Sequence, residues 1–515
     1  NILSVDCFIH MAYSLWVLAK FDKFFDVIIQ GEELLKNLTQ VLSSTRMKRE
    51  AYLAFLKGLF YGYTGEIDLA LNYTKQSLEL AEKTDFKRLN AQILFLLAFV
   101  EMNRRDLDLA LEYEKKGLAI AKESKNKFTI AWGLQELGDT YRYKGDWERA
   151  IKVNKECISL YEELDDRQCL SEVFSNMAAI YRDFTEDYDR ASEYIKTSLS
   201  VYNEDVNDIL AGQKFYTAIT IALKKGDYEG AKKYLQNLKD MNSQTKDKNV
   251  KIRYRISKAL VLKSSSRLHD MAKAEKILRQ IVTEEVFFIE FITVALINLC
   301  DILLAEFRLT NNLEVLNELE PLITHLLIIA EKSQSHSLQA ETYLFQAKLA
   351  LLSFDVKKSR RFLTQAQQIA ERYNLNKLAL EISSEYKNLV DRLELWEQLK
   401  VSEAPLNERF ELAQISEQMK RIHRASVMIK TQVIEEKVTI SKEKKICLVC
   451  RGEVLRFSYI CECGAMYCES CARAVSNLEN VCWACDIPID YSKPVKPFKM
   501  EEKESIEAEV KPKKI

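Results

Sequence analysis

"LQELGDTYRYKGDWERAI", residues 134–151, carries Leu137-Gly138, then Tyr141, then Gly145-Asp146-Trp147 ahead of Ala150. Its second half recurs. "GEIDLALNY" at 65, "RDLDLALEY" at 105, "GDWERAIKV" at 145, "EDYDRASEY" at 186 and "GDYEGAKKY" at 226 share an acid, a large apolar residue, two variable positions and alanine. The alanines, Ala70, Ala110, Ala150, Ala191 and Ala231, are separated by 40, 40, 41 and 40 residues. A fixed period of that length marks a stacked supersecondary unit. Glu66, Asp106, Asp146, Asp187 and Asp227 stand where helix N-caps are expected, since a short acid accepts the free amides of the next turn and faces its positive end. Glycine before three of them suits the tight reversal that closes the preceding helix. Alanine lets two helices approach, and Tyr73, Tyr113, Tyr194 and Tyr234 follow three residues later on the same side. The unit is helix, tight turn, helix.

Composition agrees. With 515 residues, 47% of them hydrophobic and 29% charged, more than one structural unit is expected in a soluble chain. Thirteen glycines and six prolines are few, and none of the prolines precedes Pro321, so nothing interrupts a helical body there. A net charge of −1 gives no global reason for a nucleic acid or an anionic membrane as partner. The run "VFFIEFITVALINLCDILLAEF" from Val286 contains Glu290, Asn298 and Asp301 and reads as a buried helix, with a membrane span as the less favoured alternative. The chain starts at Asn1 rather than methionine, so a preceding segment is expected, and no basic segment followed by an apolar stretch and a cleavage site is found. The expected location is cytoplasmic.

In the opening stretch, Leu137, Gly138, Tyr141, Gly145, Asp146, Trp147 and Ala150 resemble the tetratricopeptide repeat (TPR) family, and "FLKGLFYGYTGEIDLAL" repeats the pattern with Gly58, Tyr61, Gly65 and Ala70. Weaker copies reach "SFDVKKSRRF" around Asp355, so the resemblance covers roughly the first 400 residues. The repeat departs from the family in being about 40 rather than 34 residues long and in lacking the closing proline. The resemblance implies a mainly α chain, a right-handed TPR solenoid whose first helices line a groove that binds protein or peptide. The family's groove positions fall on Gln135, Asp139, Arg142, Asn176, Arg182 and Tyr216, with Phe55, Leu59, Phe95, Phe99 and Met102 in earlier repeats. The polar set suits an extended peptide or a solvated surface. The apolar set is expected to pack against the N-terminal segment "DCFIHMAYSLWVLAKFDKFFDVIIQGEELL".

Residues 1–400 are read as the solenoid, closed by a capping helix over 379–398, and 401–445 as a linker with one amphipathic helix in "NERFELAQISEQMKRIHRASVMIK". A small module spans 446–491, and the proline-, lysine- and glutamate-rich 492–515 is expected to be a disordered tail.

The module contains Cys447, Cys450, Cys461, Cys463, Cys468, Cys471, Cys482 and Cys485, spaced C-x2-C-x10-C-x-C-x4-C-x2-C-x10-C-x2-C. Eight thiols can fill two tetrahedral zinc sites, and a C-x2-C turn brings two sulfurs to one ion while its amides stabilise their charge. A disulfide framework is the less favoured alternative. Cys7, Cys157, Cys169 and Cys300 are scattered singly, as buried small residues of a reducing compartment would be, and so short a segment needs metal to fold. The spacing resembles a RING-type domain. That resemblance implies an α+β module in which pairs one and three share one zinc and pairs two and four the other, with "ARAVSNLEN" as the intervening helix and Tyr467 as the aromatic beside the fifth ligand. Two sequential sites, 447–463 and 468–485, remain the other connectivity.

Leu448 stands where RING ligases present an apolar contact to the conjugating enzyme, but Trp483 and Asp486 replace the usual proline and nearby cation. Leu448 and Trp483 are therefore candidate partner contacts. The expected function is a scaffold or adaptor, binding one protein in the groove and a second through structural zinc. A RING-type ubiquitin-like ligase with the repeats as substrate receptor is the alternative. A nucleic-acid-binding zinc finger is disfavoured, because Arg451, Arg456 and Arg473 face Glu453, Glu462, Glu469 and Glu479 before eight thiolates are counted. No phosphate-binding loop, dinucleotide fingerprint or H-E-x-x-H is found, and the five histidines lie apart, so no catalytic constellation is expected.

Overall fold

The computed structural model describes residues 2–427 and 446–497, apart from breaks at 18–20, 39–41, 65, 85, 105, 203–207, 246–247, 285–288, 313, 403, 453, 455–456, 462 and 490–495. Most of the linker's second half and the tail expectation fall outside the described residues. The chain forms two compact units, one of Asn1–Ser335 with Met419–Glu435 and one of His336–Gln418 with Glu436–Ile515.

The first unit is a stack of helix pairs. Ile2–Val17 and Phe21–Asn37 precede Ser43–Thr64 with Ile67–Glu82, Lys87–Asn103 with Leu107–Ser124, and Lys127–Tyr143 with Trp147–Glu163. Arg167–Ile180 with Tyr188–Val201, Asp208–Lys225 with Tyr228–Gln244, Lys248–Lys263 with Leu268–Thr283, and Ile289–Thr310 with Glu314–Lys332 continue it. The repeat alanines are fully buried where the two helices of a pair meet. Gly138 shows why the preceding helix is small there, since a Cβ would lie 2.4 Å from Asn154 Oδ1 on the second helix. Tyr61 stacks on Tyr73 at 5.5 Å, and Tyr181 on Tyr194 at 5.4 Å, which accounts for the recurring tyrosines.

Four of the five acids cap as expected: Asp106, Asp146, Asp187 and Asp227 accept from the amides of Leu109, Arg149, Arg190 and Gly230. Glu66 occupies the cap position without a side-chain bond, its extra methylene carrying the carboxylate past the turn. Gly145 and Gly226 take φ of 74° and 76° in their turns. The 41-residue step has its own explanation. The amides of Asp146 and Asp227 reach the carbonyls of Tyr141 and Ala222, five residues back, whereas Asp187 reaches Tyr181, six back, and Tyr181–Thr185 widens into a π-helical turn that absorbs the additional residue.

Ile289–Thr310 is the apolar run, with Phe291, Leu296, Leu299 and Phe307 buried. Among the described residues no helix is long and apolar enough to cross a membrane. Cys157 and Cys300 are buried as expected, whereas Cys169 is only half-buried and Cys7 is exposed.

In the second unit His336–Leu352 and Val356–Arg372 form a further pair, capped by Asp355 on the amide of Lys358. The single capping helix expected over 379–398 is two helices, Asn376–Asp391 and Leu393–Val401, broken at Arg392. The single amphipathic helix expected after Pro405 is also two, Leu406–Leu412 and Ile415–Val427, because Gln414 between them is left-handed at φ 52°. A small sheet, in the order β2-β1-β3, comprises β1 (Phe457–Ile460), β2 (Met466–Cys468) and β3 (Lys496–Pro497), both pairings antiparallel. The module's helix, Glu469–Leu478, starts before the expected stretch and includes Cys471.

Candidate functional site

Two places in the molecule gather chemistry. In the first unit a cavity of about 540 Å³ is lined mostly from the first helices of consecutive repeats, together with Tyr13 and Trp16 of the N-terminal helix. Its apolar wall is built by Leu59, Phe95, Leu96, Phe99 and Met102, with Trp132 packed edge-on to Phe95 at 5.8 Å. Phe55 lies beneath, buried with Leu59 in the core that includes Val5, Ile9 and Phe24 of the N-terminal helices. The apolar set thus does both things, packing against those helices and surfacing in the cavity.

The polar wall comes from the next repeats. Of the six candidate groove residues, Gln135, Asp139 and Asn176 line the cavity, and Arg142, Arg182 and Tyr216 do not. Asn176 Nδ2 donates to Asp139 Oδ1 at 3.1 Å, and Gln135 bridges Glu172, to which it donates at 3.3 Å, and the Tyr161 hydroxyl, from which it accepts at 3.2 Å. Arg142 lies 3.5 Å from Asp139 and over the Tyr143 ring. Arg182 makes a two-point pair with Asp183 at 2.5 and 2.7 Å and donates to Thr220 at 2.7 Å. Tyr216 is buried, and burial, opposed by Arg182, pushes its hydroxyl up to about 12. The two arginines already have partners in the fold, and Tyr216 belongs to the core.

Trp132, Glu172, Gln213 and Lys214 were not anticipated from the sequence. The signal is the repeat step applied one turn before Gln135: Trp132, Glu172 and Gln213 follow at intervals of 40 and 41. Burial pushes the Glu172 carboxyl up, with Lys214 drawing it down.

The second place is the module. Its thiols form two groups, Cys447, Cys450, Cys468 and Cys471, and Cys461, Cys463, Cys482 and Cys485, with the Sγ atoms of each group within 4.8 Å of one another. The pairs therefore interleave, first with third and second with fourth. Sγ separations of 3.8 Å for Cys450 and Cys468, 3.5 Å for Cys461 and Cys485, and 3.7 Å for Cys463 and Cys482 lie at or just below the edge of about 3.8 Å that four thiolates 2.3 Å from one ion define. Either group could hold a metal ion.

The turns that present the thiols share one pattern of bonds. Cys447 N donates to Gly452 O and Arg451 N to Cys447 O, and Cys482 N donates to Ile487 O and Asp486 N to Cys482 O, with Arg451 and Asp486 both left-handed. Amides point at sulfur: Cys468 N is 3.3 Å from Cys447 Sγ, and Ala484 N is 3.4 Å from Cys482 Sγ. Tyr467, fully buried, ties the halves together, its hydroxyl 3.1 Å from Cys482 Sγ and accepting from Trp483 N at 2.9 Å. Leu448 is half-buried, its amide bonded to Met466 O. Trp483 is half-buried under Arg361, whose guanidinium lies 5.8 Å from its ring and also bonds Glu479 at 2.7 Å and Asp486 at 2.8 Å.

Fold and sites define a helical-repeat protein with a cysteine-clustered α+β module at its C-terminal end. The chain belongs to the MalT-like TPR family, whose model, the MalT-like TPR region, matches residues 51–372. Among solved structures it is similar to BtubC (BKLC) from P. vanneervenii, at 17% identity over 44% of this chain and 90% of that one, with a TM-score of 0.36. It is similar also to a Rap protein complexed with Competence and Sporulation Factor, at 16% over 64% and 99% with a TM-score of 0.47. A third is the apo form of the quorum sensor NprR from B. thuringiensis, at 15% over 71% and 98% with a TM-score of 0.49. No curated protein matches the chain in sequence.

Proposed function

We propose that the chain is a cytoplasmic adaptor that holds a protein or peptide in the repeat cavity and recruits a second protein through a two-zinc, RING-like module. The observation that carries the first half is the cavity itself: aromatic and aliphatic side chains line it beside amides and carboxylates, and successive repeats supply both. Such a surface offers desolvated anchors beside hydrogen-bonding groups, the pairing that peptide recognition requires. The second half rests on the interleaved thiols, whose spacing suits Zn²⁺ and whose all-sulfur donor set leaves no open position for activating water. Zinc here would fold the module and supply no chemistry. In this reading 1–400 is the solenoid, 401–445 the linker, 446–491 the module and 492–515 the tail.

The ligase reading is second. Leu448 and the interleaving support it, while Asp486, an acid engaged by Arg361 where active members favour a cation, argues against it. The test of the adaptor reading is selection of peptides from an end-capped random library on the full chain, followed by affinities for Asn176→Ala and Gln135→Ala. Loss of binding by about tenfold with the thermal midpoint kept supports the cavity; equal affinity in wild type and both variants counts against it.

A further inference from the structure

The two thiol groups differ in what covers them. In the first, Cys447, Cys450 and Cys471 are 0%, 2% and 0% exposed and Cys468 is half-buried. In the second, Cys461 and Cys482 are buried, Cys485 is half-buried and Cys463 is exposed. The donors to sulfur differ too. Cys482 Sγ meets two neutral ones, the Tyr467 hydroxyl at 3.1 Å and Ala484 N at 3.4 Å. On the first group a cation reaches sulfur from outside the cysteine segment: Nη1 of Arg372, the last residue of the helix Val356–Arg372, donates to Cys450 Sγ at 3.2 Å. One turn earlier on that helix, Gln368 Oε1 lies 3.5 Å from Cys471 Sγ.

The chain makes room for this arginine. Gly452, which follows the left-handed Arg451 of the C-x2-C turn, is buried, and a Cβ there would collide with Cζ and Nε of Arg372. Arg361 of the same helix serves carboxylates instead, those of Glu479 and Asp486. Four thiolates around one Zn²⁺ carry a net charge of about −2. A guanidinium hydrogen-bonded to one of them offsets part of that charge, and outer partners of this kind change metal affinity by about 10- to 100-fold.

We propose that Arg372 is a positioning residue for the first metal site, acting through Cys450, and that the two sites are inequivalent: Cys447, Cys450, Cys468 and Cys471 hold a slow structural ion, and Cys461, Cys463, Cys482 and Cys485 an exchangeable one that leaves by way of the exposed Cys463. The proposal rests on the two-zinc reading. Because the groups interleave, loss of the second ion loosens the first, so the sites differ in rate of release rather than in their final state.

The experiment is zinc release from the full chain, loaded with two ions, into excess 4-(2-pyridylazo)resorcinol, with the thiols freed in each phase trapped by N-ethylmaleimide and located by mass spectrometry. Two phases of one ion each are expected, the second about tenfold slower than the first, with Cys463 and Cys485 trapped in the fast phase and Cys450 and Cys471 in the slow one. Arg372→Met, and Gly452→Ala, which displaces the guanidinium without touching a thiol, each speed the slow phase about tenfold and leave the fast phase unchanged, while Arg372→Lys, which keeps the charge, preserves most of the difference. A first group trapped before or together with the second, a slow phase that neither variant moves, or both phases accelerated alike overturns the proposal. Should a variant lose its zinc on purification, the trapping order in the wild type decides. Release of two ions in a single phase removes this inference and leaves the two-zinc reading standing; a chain that binds no zinc takes both down.

Discussion

Asp187 and Glu66 hold the same place in their repeats, but only the aspartate reaches an amide of the next turn. Asp187→Ala is expected to cost about 1 kcal/mol and Glu66→Ala less than about 0.5 kcal/mol, measured by urea unfolding. Lys214 makes a prediction of opposite sign. Its folded-state value of about 8 lies below the ordinary 10.5, so between those pH values the unfolded chain binds more protons and stability rises with pH. Lys214→Met is expected to raise the thermal midpoint at pH 7 and to flatten that slope; an unchanged slope from pH 8 to 10.5 contradicts the burial. The two residues differ in how legible they were. A cap is local, fixed by an acid and the three residues after it, and could be read from the sequence. The burial of Lys214 is set by helices distant in sequence, and nothing beside it at 208–225 signals it.

At the scale of elements, spacing was legible and interruption was not. The alanine step gave the helix pairs because each unit repeats its neighbour's packing. The break at Gln414 and the π turn at Tyr181–Thr185 escaped notice because no proline or glycine marks them. The interleaved thiols carry the element-scale prediction. Cys463 lies between the two halves of the other group, so Cys463→Ser is expected to lower bound zinc from two ions per chain to less than about one, read by elemental analysis. Retention of one full site would favour sequential pairing. Chelation of the wild type is expected to unfold the module while leaving the far-ultraviolet helical signal nearly unchanged.

For the whole molecule the two functional readings diverge on ubiquitin transfer and on where a ligand leaves its trace. With Asp486 held by Arg361, little discharge of loaded conjugating enzyme is expected from the wild type; rapid discharge lost in Leu448→Ala would make the repeats a substrate receptor. The central claim, that the first helices of the repeats form the binding surface, is tested most directly by hydrogen exchange of the full chain with and without a library-selected peptide. The account predicts slowed exchange in Lys127–Tyr143, Arg167–Ile180 and Asp208–Lys225, the helices that carry Gln135, Asn176 and Lys214. Slowing confined to the second helices, Trp147–Glu163, Tyr188–Val201 and Tyr228–Gln244, would contradict it.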